Sequence, residues 1–329
     1  MKKIAIMGAG SWGCALAILL NKNGHNVSIW AHTQDLANAI NSNHENKEYL
    51  PQVSIPSEIF VSSNSDKVLE NADYIIVAIP SKFVRECLEK FHIPPNSIII
   101  NVSKGIEGST FLTMSQIIKD IVKDCQVVTL SGPTHAEEVS RFLPTTCVAA
   151  CENLQVAMQI QQLFNNEFFR VYTSTDIIGV ELGATLKNII ALASGVADGL
   201  GFGDNTKAAI ISRGILEIAR FGEKLGARSE TFYGLSGMGD LIVTCISNHS
   251  RNRRAGILLG QGYTLEETLE KVHMVVEGVN AAKTVNELAK KLKIDMPIVS
   301  EINKMLYEGK SPKQSVLDLM MRQPKEEDI

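Results

Sequence analysis

Gly8-Ala9-Gly10-Ser11-Trp12-Gly13 sits between two patterns that leave a chain few ways to fold. Before it, Lys3 to Met7 reads as a short strand; after it, Trp12 to Asn23 has the apolar spacing of a helix. A G-x-G-x-x-G string is weak alone, but a strand in front and a helix behind are the context it requires. In that setting Gly8 permits the tight turn, Gly10 lets backbone approach a ligand, and Gly13 lets helix pack closely on strand. The helix start offers unpaired N–H groups and the positive end of a dipole. The combination predicts a cradle for a dinucleotide pyrophosphate rather than a merely tight turn.

The pattern continues in alternation. Val27 to Trp30, Tyr74 to Ile79, Ser97 to Val102, Gln126 to Leu130, Thr146 to Ala150 and Arg170 to Thr173 are strand candidates. Ser81 to Lys90, Met114 to Lys123 and Leu154 to Phe164 carry helical spacing between them. Such alternation predicts an α/β fold with a Rossmann-like, doubly wound, mainly parallel sheet. From about Ile177 the pattern changes. Val180 to Leu200 holds only Glu181, Lys187 and Asp198 as charges, so a helix buried nearly all round is expected. Lys207–Leu225, Val279–Lys291, Pro297–Glu308 and Ser315–Met321 follow as amphipathic helices, with no comparable strand. Two domains are predicted: a dinucleotide-binding domain over 1–178 and an all-α substrate domain over 179–329.

Composition narrows the function. With 32 basic and 36 acidic residues the net charge is −4, which leaves no nucleic-acid footprint. Lys2-Lys3 and the apolar run from Ile4 to Leu20 imitate a secretory signal, but three glycines interrupt it and no A-x-A site follows. No other stretch reaches about 18 uninterrupted apolar residues. Six cysteines without a C-x-x-C pair read as buried thiols of a cytoplasmic protein. The tail from Lys325 to Ile329 is expected to fray.

The end of the second strand bears on cofactor choice. An NAD-selective site usually carries a carboxylate there for the ribose 2′-hydroxyl. This chain reads Trp30-Ala31-His32-Thr33-Gln34, with Asp35 arriving late and no arginine to welcome a phosphate. His32 and Thr33 can both donate hydrogen bonds to a 2′-phosphate. The reading favours NADPH, with NADH tolerated.

Lys187 is the second focus. Glu181 stands six positions earlier, about 240° around the helix, and is no i,i+4 partner. Two readings follow: an acid/base lysine, or a snorkelling stem whose head reaches water. Gly234-Leu-Ser-Gly237-Met-Gly239-Asp240 is a glycine-dense turn ending in a carboxylate. Ser250-Arg251-Asn252-Arg253-Arg254 is a local basic cluster in which Ser250 or Asn252 would cap a helix beginning near Arg253. The cluster is either an anion site or a solvated helix face. Ser103-Lys104-Gly105 and Ser131-Gly132-Pro133-Thr134 follow strand ends, where ligands bind in such folds, although Gly132-Pro133 also suits a plain turn.

Taken together, these segments resemble the bacterial-type NAD(P)-dependent glycerol-3-phosphate dehydrogenase family. The likeness runs end to end, through Gly8–Gly13, Val102–Gly105, Ser131–Ala136, Glu181–Asn188, Asp198–Gly203, Asp240–Cys245, Ser250–Arg254 and Val276–Gly278. It implies Lys187 as proton donor and acceptor, supported by Asp240 and Lys104. It implies substrate contacts from Lys104, Gly132, Thr134, Lys187, Asn188, Asp240, Thr244, Ser250, Arg251 and Asn252. Around the cofactor it implies Ser11, Trp12, His32, Lys104, Ala136, Arg251, Val275 and Glu277, beside the cradle glycines Gly8, Gly10 and Gly13. It calls for no metal. Four positions depart from the family's usual residues: His32 for arginine, Cys14 for threonine, Thr134-His135 for Ser-Phe, and Asp204 for asparagine.

The implied reaction is reversible reduction of dihydroxyacetone phosphate to sn-glycerol 3-phosphate with NAD(P)H, supplying the backbone for phospholipid synthesis. A homodimer is expected through the helical domain, using Leu258–Leu269 or the C-terminal helices, with no membrane insertion. The sequence also admits two rivals: a β-hydroxyacid dehydrogenase, and a dinucleotide-sensing regulator without catalysis. The basic cluster favours a phosphorylated substrate over a free carboxylate, and a sensor has no need of a proton donor.

Overall fold

In strand β1 (Lys3–Met7) every residue from Ile4 onward is fully buried, which suits a central strand covered on both faces. The structure is a computed structural model that describes residues 1–324, 326 and 327; of the tail expected to fray, Lys325, Asp328 and Ile329 lie outside the described residues. The remaining strands are β2 (Asn26–Trp30), β3 (Glu45–Asn46), β4 (Leu50–Ser54), β5 (Phe60–Ser62), β6 (Tyr74–Val77), β7 (Ile98–Asn101), β8 (Gln126–Ser131), β9 (Thr145–Ala150) and β10 (Phe169–Ser174). Eight of them form one sheet in the order β10-β9-β8-β7-β6-β1-β2-β5. Within that sheet, among the described residues, only the β8–β9 pairing is antiparallel, so the predicted mainly parallel sheet is what forms.

Strand order reverses at β1, whose last residue Met7 pairs with Trp30 of β2 on one side and Val77 of β6 on the other. Open α/β sheets bind ligands at such a switch point, beyond the strand C-termini. The apolar run predicted as a strand to Ile79 leaves the ladder after Val77. Ala78 N–H still reaches the Met7 carbonyl at 3.0 Å, but Pro80 has no N–H to continue.

Helices of the first unit are α1 (Ser11–Lys22), α2 (Gln34–Asn43), α3 (Ser65–Leu69), α4 (Val84–Lys90), α5 (Met114–Ile121), α6 (Ala136–Val139) and α7 (Leu154–Phe164). Sequence periodicity missed α2, the β3–β4 hairpin and the edge strand β5. The cause is physical: β3 has two residues and β5 three, with Phe60 47% exposed, too short to show alternation.

Past residue 177 the chain is helical: α8 (Ile177–Gly199), α9 (Asp204–Lys224), α10 (Ser229–Phe232), α11 (Asp240–Ile246), α12 (Arg251–Gly260), α13 (Leu265–Val272), α14 (Glu277–Leu292), α15 (Pro297–Tyr307) and α16 (Pro312–Met320). The chain divides into two compact units. One comprises Met1–Lys104 and Leu112–Ile177; the other takes Gly105–Phe111 together with the residues from Ile178 onward. That seven-residue excursion at 105–111 carries no periodic signal in the sequence, which suggested a single boundary near 178. All six cysteines are unpaired.

Helix α8 is long and apolar enough to cross a membrane, yet 94% of its apolar window is buried inside the protein. Its C-terminal half crosses α12 through glycines on both helices. A Cβ on Gly195 would lie 2.1 Å from the Arg253 carbonyl oxygen, and one on Gly199 2.2 Å from that of Ile257. Conversely, a Cβ on Gly256 would lie 2.2 Å from the Leu192 oxygen, and one on Gly260 2.4 Å from that of Val196. Backbone therefore packs on backbone, which fixes where the start of α12 stands relative to Lys187.

Helix α15 opens at Pro297 without a capping side chain of its own. Glu217, buried in α9, supplies the cap by accepting from Ile298 N at 2.8 Å and Val299 N at 3.2 Å. Burial pushes its carboxyl up to about 7, against the downward pull of those two N–H groups. An unfolded glutamate ionises near about 4.3. Between the two values the folded protein keeps a proton that the unfolded chain has released, so stability falls as pH rises through that window. The expected fall from this group is about 3 kcal/mol. Denaturant unfolding of the wild type and Glu217→Gln at about pH 5 and pH 8 checks it: the variant should show the shallower pH dependence, and parallel curves would contradict the assignment.

Candidate active site

In the first unit, the turn after β1 separates the roles of its glycines. Gly8 has φ +132°, and a Cβ there would sit 2.4 Å from the Ala78 carbonyl oxygen. A Cβ on Gly13 would come within 2.0 Å of the Gly8 oxygen. Both positions are closed to any side chain. A Cβ on Gly10 would meet nothing within 4 Å. Gly10 is also the N-cap of α1, with no side-chain cap and no acidic residue in the first turn. An open cradle edged by the N–H groups of an uncapped helix start, unopposed by a carboxylate, fits a pyrophosphate. Ser11 and Trp12, in that first turn, are half-buried.

Beyond β2, His32 and Thr33 are both exposed. Thr33 has a structural duty that the sequence reading did not assign: its hydroxyl oxygen caps α2 by accepting from Leu36 N at 3.2 Å. Its own O–H proton remains a donor. Lys104, half-buried, follows β7 through Ser103, whose hydroxyl lies 2.6 Å from the Ile79 carbonyl oxygen. Gly132 packs on β9, where a Cβ would stand 2.8 Å from Cys147 Cα, and the Thr134 hydroxyl donates to the Gly132 carbonyl at 3.2 Å. That supports the plain-turn alternative for Gly132 as fully as a binding role. Ala136, buried, opens the short helix α6.

In the second unit, Lys187 does not snorkel. It is 5% exposed, and its Nζ lies 2.6 Å from Asp240 Oδ1 and 2.7 Å from Thr244 Oγ1. Thr244 sits one turn beyond Asp240 on α11, and its hydroxyl proton goes to the Asp240 carbonyl at 2.6 Å. The threonine oxygen therefore accepts from the lysine. The glycine-dense turn before Asp240 is a widened helical turn, Leu235–Gly239, closed by Gly239 N–H on the Gly234 carbonyl at 3.1 Å. Such i→i+5 turns occur often at functional sites. A Cβ on Gly237 would fall 2.1 Å from the Phe232 oxygen, so this glycine density serves packing.

Helix α12 begins at Arg251, two residues before the expected start near Arg253. Ser250, not Asn252, caps it, accepting from Arg253 N at 3.2 Å. The three arginines do not share one role. Arg253 donates through Nε to Asp198 at 2.7 Å and through NH1 to Asn248 at 2.9 Å; Lys207 holds the other Asp198 oxygen at 2.8 Å. Arg254 is exposed, and Arg251, half-buried, opens the helix. Asn252 turns inward. Its Nδ2 donates to Asn188 Oδ1 at 2.9 Å and its Oδ1 accepts from Gly278 N at 2.8 Å, tying α8, α12 and α14 together. A Cβ on Gly278 would stand 2.5 Å from the Asn188 carbonyl oxygen. Val275 and Glu277, half-buried, flank the cap of α14.

Asp198 anchors Arg253 beside the start of α12, a contact that no local pattern in the sequence announces. The legible signal for the crossing of α8 and α12 was the pair of G-x-x-x-G strings, Gly195/Gly199 and Gly256/Gly260. Among the described residues no group of His, Cys, Asp and Glu that would hold a metal ion is found.

Comparison with known proteins agrees across the whole chain. Residues 3–157 match the family profile for the N-terminus of NAD-dependent glycerol-3-phosphate dehydrogenase, and residues 176–317 match that for its C-terminus. A glycerol-3-phosphate dehydrogenase [NAD(P)+] of Fusobacterium nucleatum is 50% identical, over 99% of this chain and 98% of its own. One from Clostridium perfringens is also 50% identical, over 100% of both chains. The crystal structure of glycerol-3-phosphate dehydrogenase from Coxiella burnetii superposes with a TM-score of 0.94 at 34% identity, covering 98% of this chain and 99% of that one.

The geometry of the glycine turn separates two variants. Gly10→Ala, with its Cβ in open space, is expected to leave thermal stability near that of the wild type and weaken dinucleotide binding about tenfold or more. Gly13→Ala, driven into the Gly8 carbonyl, is expected to destabilise the protein by about 1–3 kcal/mol. Calorimetric titration and thermal unfolding of the pair read both effects; equal loss of stability in the two would refute the distinction.

Proposed function

The chain belongs to the NAD-dependent glycerol-3-phosphate dehydrogenase family, and on that premise we propose that it reduces dihydroxyacetone phosphate to sn-glycerol 3-phosphate, reversibly, with NAD(P)H. The observation that carries the reading is the buried Lys187 ammonium held by Asp240 and Thr244. A buried ion pair is weak support for stability alone, because its desolvation must be offset; a ketone reductase needs a cation placed where negative charge develops.

When bound, the reduced nicotinamide supplies the hydride to C2 of the ketone. The cradle residues Gly8, Gly10, Ser11, Trp12 and Gly13 would hold its pyrophosphate at the α1 N-terminus. His32 would serve the adenosine ribose, and the family resemblance adds Ala136 in the first unit and Val275 and Glu277 in the second as residues that would hold the cofactor. Lys187 donates a proton from Nζ to the C2 oxygen and stabilises the charge that develops there. In the reverse direction the neutral amine takes the hydroxyl proton. Asp240 orients Nζ, and its negative charge favours the protonated form. Arg251 and the capped start of α12 at Ser250 bind the substrate phosphate, fixing the carbonyl in place. Asn188 and Asn252 shape that pocket as a mutually bonded pair, with Thr244 steadying the lysine. Lys104, Gly132 and Thr134 belong to the substrate set by family resemblance.

Cofactor choice is proposed as NADPH favoured and NADH accepted, since no carboxylate precedes Gln34 at the end of β2. The product would feed phospholipid synthesis, and six unpaired cysteines in a sequence with no A-x-A site after its first apolar run support a cytoplasmic enzyme. A homodimer through the helical unit is supported by exposed apolar side chains on α13 and α16, Leu269 at 39%, Leu317 at 50% and Met320 at 78%.

Steady-state assay with dihydroxyacetone phosphate and each nicotinamide cofactor tests the reading, and no turnover with either would refute it. Lys187→Ala is expected to lower kcat by roughly a hundred- to ten-thousand-fold with cofactor affinity retained. Arg251→Ala is expected chiefly to raise the KM for dihydroxyacetone phosphate, by about 10- to 100-fold. An unchanged KM would remove Arg251 from the phosphate site.

A further inference from the structure

The β3–β4 hairpin, absent from the sequence reading, places one polar side chain behind the glycine turn. Asn46, 1% exposed, donates through Nδ2 to the Ala9 carbonyl oxygen at 2.7 Å. The same nitrogen lies 3.4 Å from Cys14 Sγ, and the Cys14 thiol lies 3.7 Å from the Ala9 oxygen. On its other side Asn46 Oδ1 accepts from Tyr49 N at 3.1 Å. Only one orientation of the amide satisfies both neighbours, because Ala9 offers an acceptor and Tyr49 a donor. The side chain is thus locked at both ends, and its nitrogen is aimed at the middle of the Gly8–Gly13 turn.

A trans peptide is planar, so its carbonyl and its N–H point in opposite directions. With the Ala9 oxygen drawn to Asn46, the Gly10 N–H must point away from Asn46, and the space beside Gly10 is open, a Cβ there meeting nothing within 4 Å. Glycine makes this orientation insecure. Gly10 has no Cβ to restrict rotation, and the Ala9–Gly10 peptide can turn over at little steric expense. Turned over, it would present a carbonyl oxygen to the pyrophosphate in place of an N–H, converting attraction into repulsion. The freedom that lets the backbone approach a dinucleotide therefore needs a restraint from elsewhere.

We propose that Asn46 is a positioning residue for dinucleotide binding, holding the Ala9–Gly10 peptide so that the Gly10 N–H faces the cofactor pyrophosphate. The inference rests on the dinucleotide-binding reading and deepens it. Asn46 acts through the Ala9 carbonyl and not by touching the cofactor. Cys14 is a weaker second donor to the same oxygen, buried and with its thiol pushed up to about 11 by burial, so that it stays protonated and able to donate.

The test compares ligands with and without a pyrophosphate. Dissociation constants of NADPH, NADH and adenosine are measured by calorimetric titration for the wild type, Asn46→Asp and Asn46→Leu. The aspartate keeps the acceptor for Tyr49 N–H but sets a carboxylate against the Ala9 oxygen; the leucine removes the donor without adding charge. Dinucleotide binding is expected to weaken about 10- to 100-fold in both variants, more in Asn46→Asp, while adenosine binding stays within about twofold. Dinucleotide affinity within about threefold of the wild type in Asn46→Leu would overturn the proposal. So would a parallel loss of adenosine affinity, which would mark a general structural role. Should Asn46→Asp fail to fold, Asn46→Leu alone decides by the same criteria. A wild type that binds neither dinucleotide would instead overturn the functional reading on which this inference stands.

Discussion

The ion pair between Lys187 and Asp240 is the constraint around which the helical unit is organised. Two charges, 7% and 3% exposed at their side chains, have been taken out of water. Such a pair persists only when geometry is good and the remaining hydrogen-bonding capacity is met. Thr244 meets part of it, and it can do so because its own proton is committed to the helix backbone. Every packing feature nearby keeps this arrangement in place. The widened turn before Asp240 sets the start of α11, Gly237 lets that turn close on Phe232, and the glycine crossing of α8 and α12 fixes the helix that bears the lysine.

The same physics of helix termini appears in both units. At α1 the cap is a glycine, and no acidic residue competes for the first-turn N–H groups. At α12 Ser250 satisfies one of those groups, and Arg251 adds a positive charge in the first turn. One end is therefore suited to an extended pyrophosphate that must come close to bare backbone, and the other to a compact phosphate met by a side chain. Glycines serve three different ends along the chain: a forced φ at Gly8, an open face at Gly10, and backbone-to-backbone contact at Gly13 and along α8 and α12. A substitution at each fails for a different reason.

Much of this was legible beforehand because it is local. Strand–turn–helix at residues 3–23, the continuous apolar run at Tyr74, and the near-chargeless stretch around Lys187 each report their structure through spacing alone. Short or edge elements were not legible. The two-residue β3 and three-residue β5 contain too few positions to show a period, and the excursion of residues 105–111 into the second unit leaves no trace in residue pattern. The basic cluster was visible as a cluster, yet its three arginines take three different environments, since side-chain direction depends on neighbours 50 or more positions away, as with Arg253 and Asp198.

By itself, then, the sequence determined the fold class, the glycine turn between the first strand and helix, and the isolated lysine of an apolar helix, since periodicity and glycine spacing are properties of adjacent residues. Only the tertiary structure decided which partner neutralises that lysine, which residue caps α12, and that Asn46 stands behind Ala9. Those are contacts between residues far apart in the chain, and their choice follows from packing that no local pattern encodes.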